Sequence, residues 1–184
     1  TQIIIGESDR LRNLVDQMLG PRGESHRRAV NIHDVLEHVR LVVDAERGGN
    51  APIVRDYDPS LPEVHVDRDQ VVQAFLNLLR NAMQAIEACA GEVILRTRIQ
   101  RKFTIGSVLH RLVVRIDVVD SGSGVDPELS SSIFLPMVSG HASGSGLGLP
   151  IAQSLIQRQD GLIGFESEPG LTTFSVWLPL GAEQ

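Results

Sequence analysis

The sequence predicts an α+β fold: a two-layer α/β sandwich with a mixed, mainly antiparallel sheet covered by helices on one face. Three observations support this prediction. Several stretches place apolar residues at the spacing of amphipathic helices. Others alternate apolar and polar residues, as strands do when one face of a sheet is buried. A long glycine-rich loop, residues 120–149, joins a strand-like run to a further helical stretch.

Composition limits the possible functions. The chain has 184 residues, of which 42% are hydrophobic, which suits one domain, or one domain with an appendage, and a substantial core. The net charge of −6 and the aromatic content of 4% disfavour nucleic-acid binding. No apolar run approaches the length of a membrane span. The single cysteine, Cys89, fits a reducing compartment. We therefore expect a cytoplasmic protein with no nucleic-acid or membrane partner.

The first nineteen residues have the apolar spacing of a helix, since apolar residues repeat there at multiples of about 3.5: Ile4, Leu11, Leu14 or Val15, and Met18. Gly20 and Pro21 end this pattern. The stretch alone does not separate two interpretations, an ordinary packed helix and the end of a helical hairpin that dimerises. Because the chain begins inside the pattern, we expect it to be a piece of a longer protein.

The next elements alternate between helix and strand. Residues 31–46 predict an amphipathic helix with Asn31 as its N-cap. Two short stretches, residues 52–58 and 63–66, alternate like strands. Further along, two strand-like runs surround a turn and predict a β-hairpin; they cover residues 91–100 and 111–120.

The longest predicted helix begins at the N-cap Asp67 and extends to residue 88. Asn77, Asn81 and Gln84 occur in it at i, i+4 and i+7, so they line one face together. Asparagine is a mediocre former of helix interiors, and two of them one turn apart need an explanation. They are either solvated amides or a polar ledge whose side-chain oxygens hold a hydrated Mg²⁺.

Two glycine clusters lie in residues 120–149, on either side of an apolar segment, residues 133–137. The first is Asp120-x-Gly122-x-Gly124, and the second is Gly144-x-Gly146-Leu147-Gly148-Leu149. The second cluster opens a helix-like run, and amides at a helix N-terminus favour anions, phosphate above all. The residues of the two clusters match neither the P-loop motif, in which glycine is followed by Lys and Ser or Thr, nor the dinucleotide-binding motif G-x-G-x-x-G. Each cluster alone also fits a flexible surface loop.

Two more strands are predicted after the helix that the second glycine cluster opens. They cover residues 161–167 and 172–180, and Pro169 and Gly170 form the turn between them. These strands complete the predicted sheet.

The asparagine helix, D-x-G-x-G, the phenylalanine-containing apolar segment and G-x-G-L-G-L occur in that order. This order resembles the catalytic, ATP-binding half of sensor histidine kinases, within the wider family of gyrase, Hsp90 and MutL, which has the Bergerat-type ATP-binding fold. The segments RDYDPSLPE, NLLRNAMQAI and FLPMVSG are most similar to nitrogen-regulation kinases. The resemblance implies two parts. Residues 1–22 would be the C-terminal part of a dimerisation and phosphoacceptor hairpin, and residues 29–184 the catalytic ATP-binding domain.

The resemblance also implies roles at the base end of an ATP site. Asp120 would accept a hydrogen bond from the adenine amino group, which favours ATP over GTP. Gly122 and Gly124 would let the backbone close under the base. Phe134 would sit in the apolar segment that packs the lid, residues 125–143. Thr173 would belong to the polar fringe of the pocket.

At the phosphate end, the resemblance implies that Asn81 binds Mg²⁺, with Asn77 beside it near the phosphates. The second glycine cluster would place amides and a helix N-terminus against the triphosphate through Gly144, Gly146, Leu147, Gly148 and Leu149. Many sensor kinases carry a basic residue three places after the second asparagine, where this chain has Gln84. Arg80 and His141 are the candidates to replace it.

The phosphoacceptor motif of the family is missing from this sequence. The motif is a histidine followed by an acidic residue on the first hairpin helix. Of the six histidines, only His33 is followed by an acidic residue, and it lies on the helix of the ATP domain. We therefore expect no catalytic residue in this chain, and expect it to bind ATP without phosphorylating itself.

The resemblance implies a cytoplasmic ATP-dependent protein-histidine kinase of a two-component phosphorelay. Its partners would be its own dimerisation hairpin in a homodimer, an NtrC-like response regulator receiver domain and the PII signalling protein. One alternative is an ATP-hydrolysing switch of the gyrase and Hsp90 type, which places a glutamate base where this chain has Asn77. Another is a non-catalytic interaction module that uses nucleotide only to order its lid.

Overall fold

A computed structural model describes residues 26–87, 89, 91–138 and 146–180. The predicted first helix and the proposed hairpin segment, residues 1–22, lie outside the described residues. The described elements, in chain order, are β1 (Arg28–Val30), α1 (Ile32–Glu46), β2 (Ile53–Asp56), β3 (Val64–Val66), α2 (Arg68–Ala85), β4 (Val93–Ile105), β5 (Val108–Asp120), α3 (Gly148–Gln157), β6 (Leu162–Glu168) and β7 (Leu171–Pro179).

The main sheet has five strands in the order β2-β4-β5-β7-β6. Among the described strands of this sheet, β2 and β4 pair in parallel, and the other neighbours are antiparallel. The predicted mixed, mainly antiparallel sheet is therefore confirmed. The hairpin of β4 and β5 is longer than predicted, because both strands continue to a turn at Gly106 and Ser107.

A second, two-stranded sheet joins β1 to β3. The sequence did not predict β1, because its three residues follow a polar linker and pair with a strand more than thirty residues away. This pairing separates β3 from β2, although the two strands are close in sequence. The chain entering α1 is thereby tied to the start of α2.

The core lies between the helices and one face of the main sheet. The helices contribute aliphatic and aromatic side chains at helical spacing, and the strands contribute every second residue. The largest fully buried side chains come from both layers: Leu36, Phe75, Leu78, Leu79, Leu95, Ile116, Ile156, Phe174 and Leu178. Within the described residues, no helix is both long and apolar enough to cross a membrane.

Both predicted N-caps are formed. Asn31 accepts a hydrogen bond from the His33 amide over 2.9 Å. Asp67 accepts from the amides of Asp69 and Gln70 through Oδ1, over 3.1 and 3.2 Å. The other carboxylate oxygen of Asp67 accepts from the His26 amide and the Gln70 side chain. Asp67 therefore fixes the start of α2, the helix with the asparagine face.

A buried amide pair holds α2 against the end of α3. The Gln159 side chain, 1% exposed, donates to Gln70 Oε1 over 2.9 Å and accepts from the Asp67 amide over 2.9 Å. A buried polar group costs little only when its hydrogen bonds are made, and here both partners are fixed. The relative position of α2 and α3, which together border the site, is set by this pair.

The N-cap of α2 gives a stability prediction. We expect Asp67→Ala to lower the free energy of unfolding by about 1–2 kcal/mol, because several backbone and side-chain donors lose their acceptor. The matched control is Asp69→Ala, in the same first turn, whose side chain is 90% exposed. It should cost about 0.5 kcal/mol or less. Urea unfolding of the two variants checks this, and equal losses would contradict the assigned role of Asp67.

Candidate functional site

A cavity of about 450 Å³ lies between α2, the loop that follows β5 and the start of α3. Residues from the asparagine helix and from both glycine clusters line it together. The lining residues that the sequence predicted are Asn77, Arg80, Asn81, Gln84, Asp120, Gly124, Gly146, Gly148 and Leu149. Motifs whose residues lie as far apart in sequence as Asn77 and Leu149 therefore meet at one place.

Asp120 is the last residue of β5, and it lines this cavity. The residue is 1% exposed. Its Oδ1 accepts a hydrogen bond from the Gly122 amide over 3.0 Å. Its Oδ2 is buried and has no hydrogen-bond partner among the described residues. Burial raises the pKa of Asp120, and the Gly122 N–H opposes that rise. The site therefore presents a buried acceptor that a ligand N–H can satisfy.

Glycine is required at position 122 because of its neighbours. A Cβ built there would lie 2.7 Å from Asp120 Oδ1 and 2.8 Å from the Cβ and the carbonyl oxygen of Ala85. Gly122 itself does not border the cavity, but its small size lets the loop pass between α2 and the Asp120 carboxylate. The first glycine cluster thus keeps the Asp120 carboxylate in place.

Gly146 in the second cluster is required for two reasons. Its φ of +64° lies in the left-handed region, and an added Cβ would meet the backbone of Met137 and Val138 at 2.7–2.8 Å. Its carbonyl accepts a hydrogen bond from the Met137 amide over 3.1 Å. The chain that enters α3 is therefore joined directly to the segment after Phe134.

The helix α3 begins at the cavity. Gly148 and Leu149 line it, and the residue before the helix, Leu147, makes no side-chain capping bond. The first amides of a helix lack intrahelical partners, so uncapped amides at this position can bind an anion. Leu147 itself is 6% exposed and packs in the core, where it anchors the helix start.

The polar face of α2 forms the opposite wall. Asn77, Asn81 and Gln84 all line the cavity, so the predicted ledge exists as one surface. Arg80 also lines it, and among the lining residues that the structure describes it alone is basic. Its guanidinium is paired with Glu46 at the end of α1, with Nε 3.1 Å from Oε2 and Nη2 2.5 Å from Oε1. The amide oxygens of the ledge and the Arg80 cation suit a ligand that carries phosphate and a hard cation.

Some predicted residues occupy other positions. Phe134 packs edge-on against Phe165 and Phe174, with ring centroids 6.1 and 6.5 Å apart, and Phe174 forms the wall in its place. Thr173 does not line the cavity, and Thr172 does. Side chains alternate along a strand, so Thr173 faces the side of the sheet away from the helices. Gly144 and His141 lie outside the described residues.

Sequence reasoning also missed several wall residues. They come from the loop after Gly122 and from β7: Ser123, Val125, Asp126, Leu129, Val138, Thr172 and Phe174. The loop residues have no regular spacing that would show which side chains point inward. The inward parity of β7 could have been found only from its pairing with β5, in which Asp120 lies opposite Thr172.

Comparison with known proteins decides the family. Residues 66–182, well over half of the chain, match the family model described as "Histidine kinase-, DNA gyrase B-, and HSP90-like ATPase". The chain belongs to this family.

Relatives within this ATPase family include sensor kinases. The chain is 48% identical over 180 residues to "Sensory histidine kinase/phosphatase NtrB" of Proteus hauseri, covering 98% of the chain and 52% of the relative. The NtrB of Escherichia coli O157:H7 is 49% identical over the same lengths. That of Rhodobacter capsulatus is 38% identical over 192 residues, 100% of the chain and 53% of the relative. The chain thus spans about half the length of these relatives.

Solved structures give the same fold. Full-length ShkA in complex with AMPPNP has a TM-score of 0.74 at 26% identity, over 96% of this chain and 37% of that one. The nucleotide-free catalytic domain of histidine kinase ThkA has a TM-score of 0.70 at 24% identity, over 84% of this chain and 96% of that one. The predicted two-layer ATPase fold is confirmed.

The close contacts of Gly122 lead to a prediction about the loop. We expect Gly122→Ala to lower the free energy of unfolding by about 1–3 kcal/mol, because the new methyl group displaces Asp120 or Ala85. The control is Gly148→Ala, whose Cβ would approach nothing closer than Asn77 Cβ at 3.9 Å. It should leave stability unchanged or slightly raised. Thermal unfolding measures both, and a neutral Gly122→Ala would show that the loop is not held as tightly as described.

The buried Asp120 carboxyl predicts a pH-dependent stability. Because its folded pKa is raised, the folded state holds more protons than the unfolded chain above pH of about 4, and stability falls as pH rises through the folded pKa. The carboxamide introduced by Asp120→Asn cannot ionise. This variant should therefore be more stable than wild type at neutral pH, with the difference shrinking below about pH 4. Unfolding of both proteins across pH, without nucleotide, tests this. A difference that does not change with pH would contradict it.

Proposed function

We propose that this chain binds ATP together with Mg²⁺ in the cavity. The observation that carries the proposal is the buried, unpartnered Oδ2 of Asp120, a residue that lines the same cavity as the uncapped N-terminus of α3. The exocyclic amino group of adenine is a donor that fits Oδ2. Guanine presents a carbonyl oxygen at the same position, so two acceptors would meet, and ATP is favoured over GTP.

The cation proposal rests on the asparagine ledge. Asn81 and Asn77 offer side-chain oxygens on one face of α2, at the cavity wall. Mg²⁺ prefers oxygen ligands, keeps several waters and shares phosphate oxygens with its nucleotide, so two amides suit it without a full protein cage. When bound, Mg²⁺ neutralises phosphate charge. The α3 amides and Arg80 would hold the remaining phosphate oxygens, which sets the triphosphate between α2 and α3.

For the whole protein, we propose a sensor histidine kinase of the nitrogen-regulation type, located in the cytoplasm. It would transfer the γ-phosphoryl group of ATP to a histidine on a dimerisation hairpin, and then to an aspartate of an NtrC-like receiver domain. The names of the relatives support this proposal, and their greater length leaves room for the hairpin. A homodimer through that hairpin and a PII signalling partner rest on the same likeness. The domain contributes positioning and charge neutralisation, which are the main terms in phosphoryl transfer.

The residues of the α2 wall disfavour ATP hydrolysis, in which the γ-phosphoryl group is transferred to water. Asn77 stands where the hydrolysing branch of the family places a glutamate, and a neutral amide cannot accept a proton from water at neutral pH. Asp126 also lines the cavity, but its Oδ1 accepts from the Glu128 amide over 2.9 Å. A kinase half that lacks its acceptor should therefore bind ATP without turnover.

Calorimetric titration with Mg-ATP tests the proposal. Wild type should give saturable heats and a flat baseline, and GTP should bind more weakly. Asp120→Asn should weaken ATP binding by roughly 10- to 100-fold, since it removes a hydrogen bond to a charged group. Thr173→Ala, on the opposite face of the same sheet, is the control and should match wild type.

Two results would contradict the proposal. Equal affinity of wild type and Asp120→Asn for Mg-ATP would show that Asp120 does not bind the adenine amino group. A baseline that stays displaced after each injection would indicate turnover, and the ATP-hydrolysing alternative would then lead. Phosphotransfer measured in a protein that includes the hairpin separates a kinase from a non-catalytic interaction module.

A further inference from the structure

Arg80 has a special place in the cavity because of its charge. Among the lining residues that the structure describes, two are acidic, Asp120 and Asp126, and Arg80 alone is basic. Among the described residues, Arg80 is therefore the one side-chain cation that a triphosphate would meet in the cavity. The contribution of Arg80 to phosphate binding then depends on whether its guanidinium is already oriented, because ordering a free arginine side chain costs conformational entropy.

Glu46 holds this guanidinium from outside the cavity. It is the last residue of α1, and its two carboxylate oxygens accept from Nε and Nη2 of Arg80 at 3.1 and 2.5 Å. The hydrogen bond from Arg80 lowers the pKa of Glu46, and the same bond raises the pKa of Arg80. Both groups are therefore charged at neutral pH.

The location of Glu46 is unfavourable for α1 itself. A carboxylate in the last turn faces the negative end of the helix dipole, and no basic residue lies in that turn. Arg80, which belongs to the neighbouring helix, compensates for it. Glu46 is thus an exception to the usual preference for basic residues at a helix C-terminus. Its partner, Arg80, lines the functional cavity, and such exceptions are expected near functional sites.

The geometry of the pair leaves Arg80 able to bind a ligand. A guanidinium has five N–H donors, and the fork to Glu46 uses the Nε edge. The Nη1–Nη2 edge remains, and it matches two oxygens of a phosphate as well as it matches a carboxylate. Glu46 therefore fixes the plane of the guanidinium without occupying the edge that phosphate would use.

We propose that Glu46 is a positioning residue for the ATP phosphates, acting through Arg80. This inference rests on the proposed ATP function and deepens it. Glu46 touches no nucleotide atom. It holds Arg80 in an orientation that is ready for phosphate before ATP arrives, so that less side-chain entropy is lost on binding.

The same helix junction offers a matched control. Arg47, next to Glu46, pairs with Glu87 beyond the end of α2 at 2.7 Å. This pair also joins α1 to the region of α2, and its partners are similarly exposed, 33% and 56% against 49% and 43% for Arg80 and Glu46. Glu87→Gln therefore breaks an ion pair at the junction without touching Arg80.

The test is titration of the 184-residue chain with Mg-ATP and, separately, with adenosine. Glu46→Gln should weaken Mg-ATP binding about fivefold, the upper range for a partly exposed ion pair, and leave adenosine binding unchanged. Glu87→Gln should bind both ligands like wild type. In an Arg80→Gln background, Glu46→Gln should not weaken Mg-ATP binding further, because the group through which it acts has been removed.

Several results would overturn the inference. Tighter Mg-ATP binding by Glu46→Gln would make Glu46 a competitor of phosphate for Arg80. A loss shared with adenosine, or with Glu87→Gln, would make it a general stabiliser of the helix junction. If Glu46→Gln weakens Mg-ATP binding just as much in the Arg80→Gln background, Glu46 does not act through Arg80. If wild type itself binds no Mg-ATP, the proposed function fails and this inference with it. Wild-type binding together with an unchanged Glu46→Gln removes this inference alone.

Discussion

The constraint on which the site depends is the burial of one carboxylate without a full set of partners. Asp120 ends a central strand, is almost fully covered, and has one oxygen bonded to the Gly122 amide and the other to nothing among the described residues. Leaving a buried acceptor unsatisfied costs stability, more so when it is charged. A ligand that donates a hydrogen bond to this acceptor removes that cost. The position of this residue in the wall of a cavity is what links the unpartnered oxygen to nucleotide recognition.

The other parts of the site hold this carboxylate and its cavity in place. The close approach of Gly122 to Ala85 sets the distance between the loop and α2. The Asp67 cap and the Gln70–Gln159 pair fix α2 relative to α3. The two walls that face the phosphates in our proposal therefore belong to helices that hydrogen bonds hold together at the start of α2 and just after the end of α3. Preorganisation of this kind suits a domain that works by positioning its substrate.

Local signals predicted much of this architecture. The caps Asn31 and Asp67, the glycine clusters and the helical periodicity depend on residues a few places apart. They indicated the helices, most strands and nine wall residues. Contacts between distant segments were not predictable in the same way. The β1–β3 pairing, the inward parity that puts Thr172 rather than Thr173 at the wall, and the Arg80–Glu46 pair each depend on tertiary register. No sequence spacing encodes that register.

The central claim is that the adenine ring lies against Asp120. The most direct measurement is a crystal structure of this chain with Mg²⁺ and a non-hydrolysable ATP analogue. We expect the adenine amino nitrogen within about 2.7–3.2 Å of Asp120 Oδ2 and the phosphates between the α2 asparagines and the first amides of α3. An analogue bound with its base elsewhere, and Asp120 Oδ2 still without a partner, would contradict the claim.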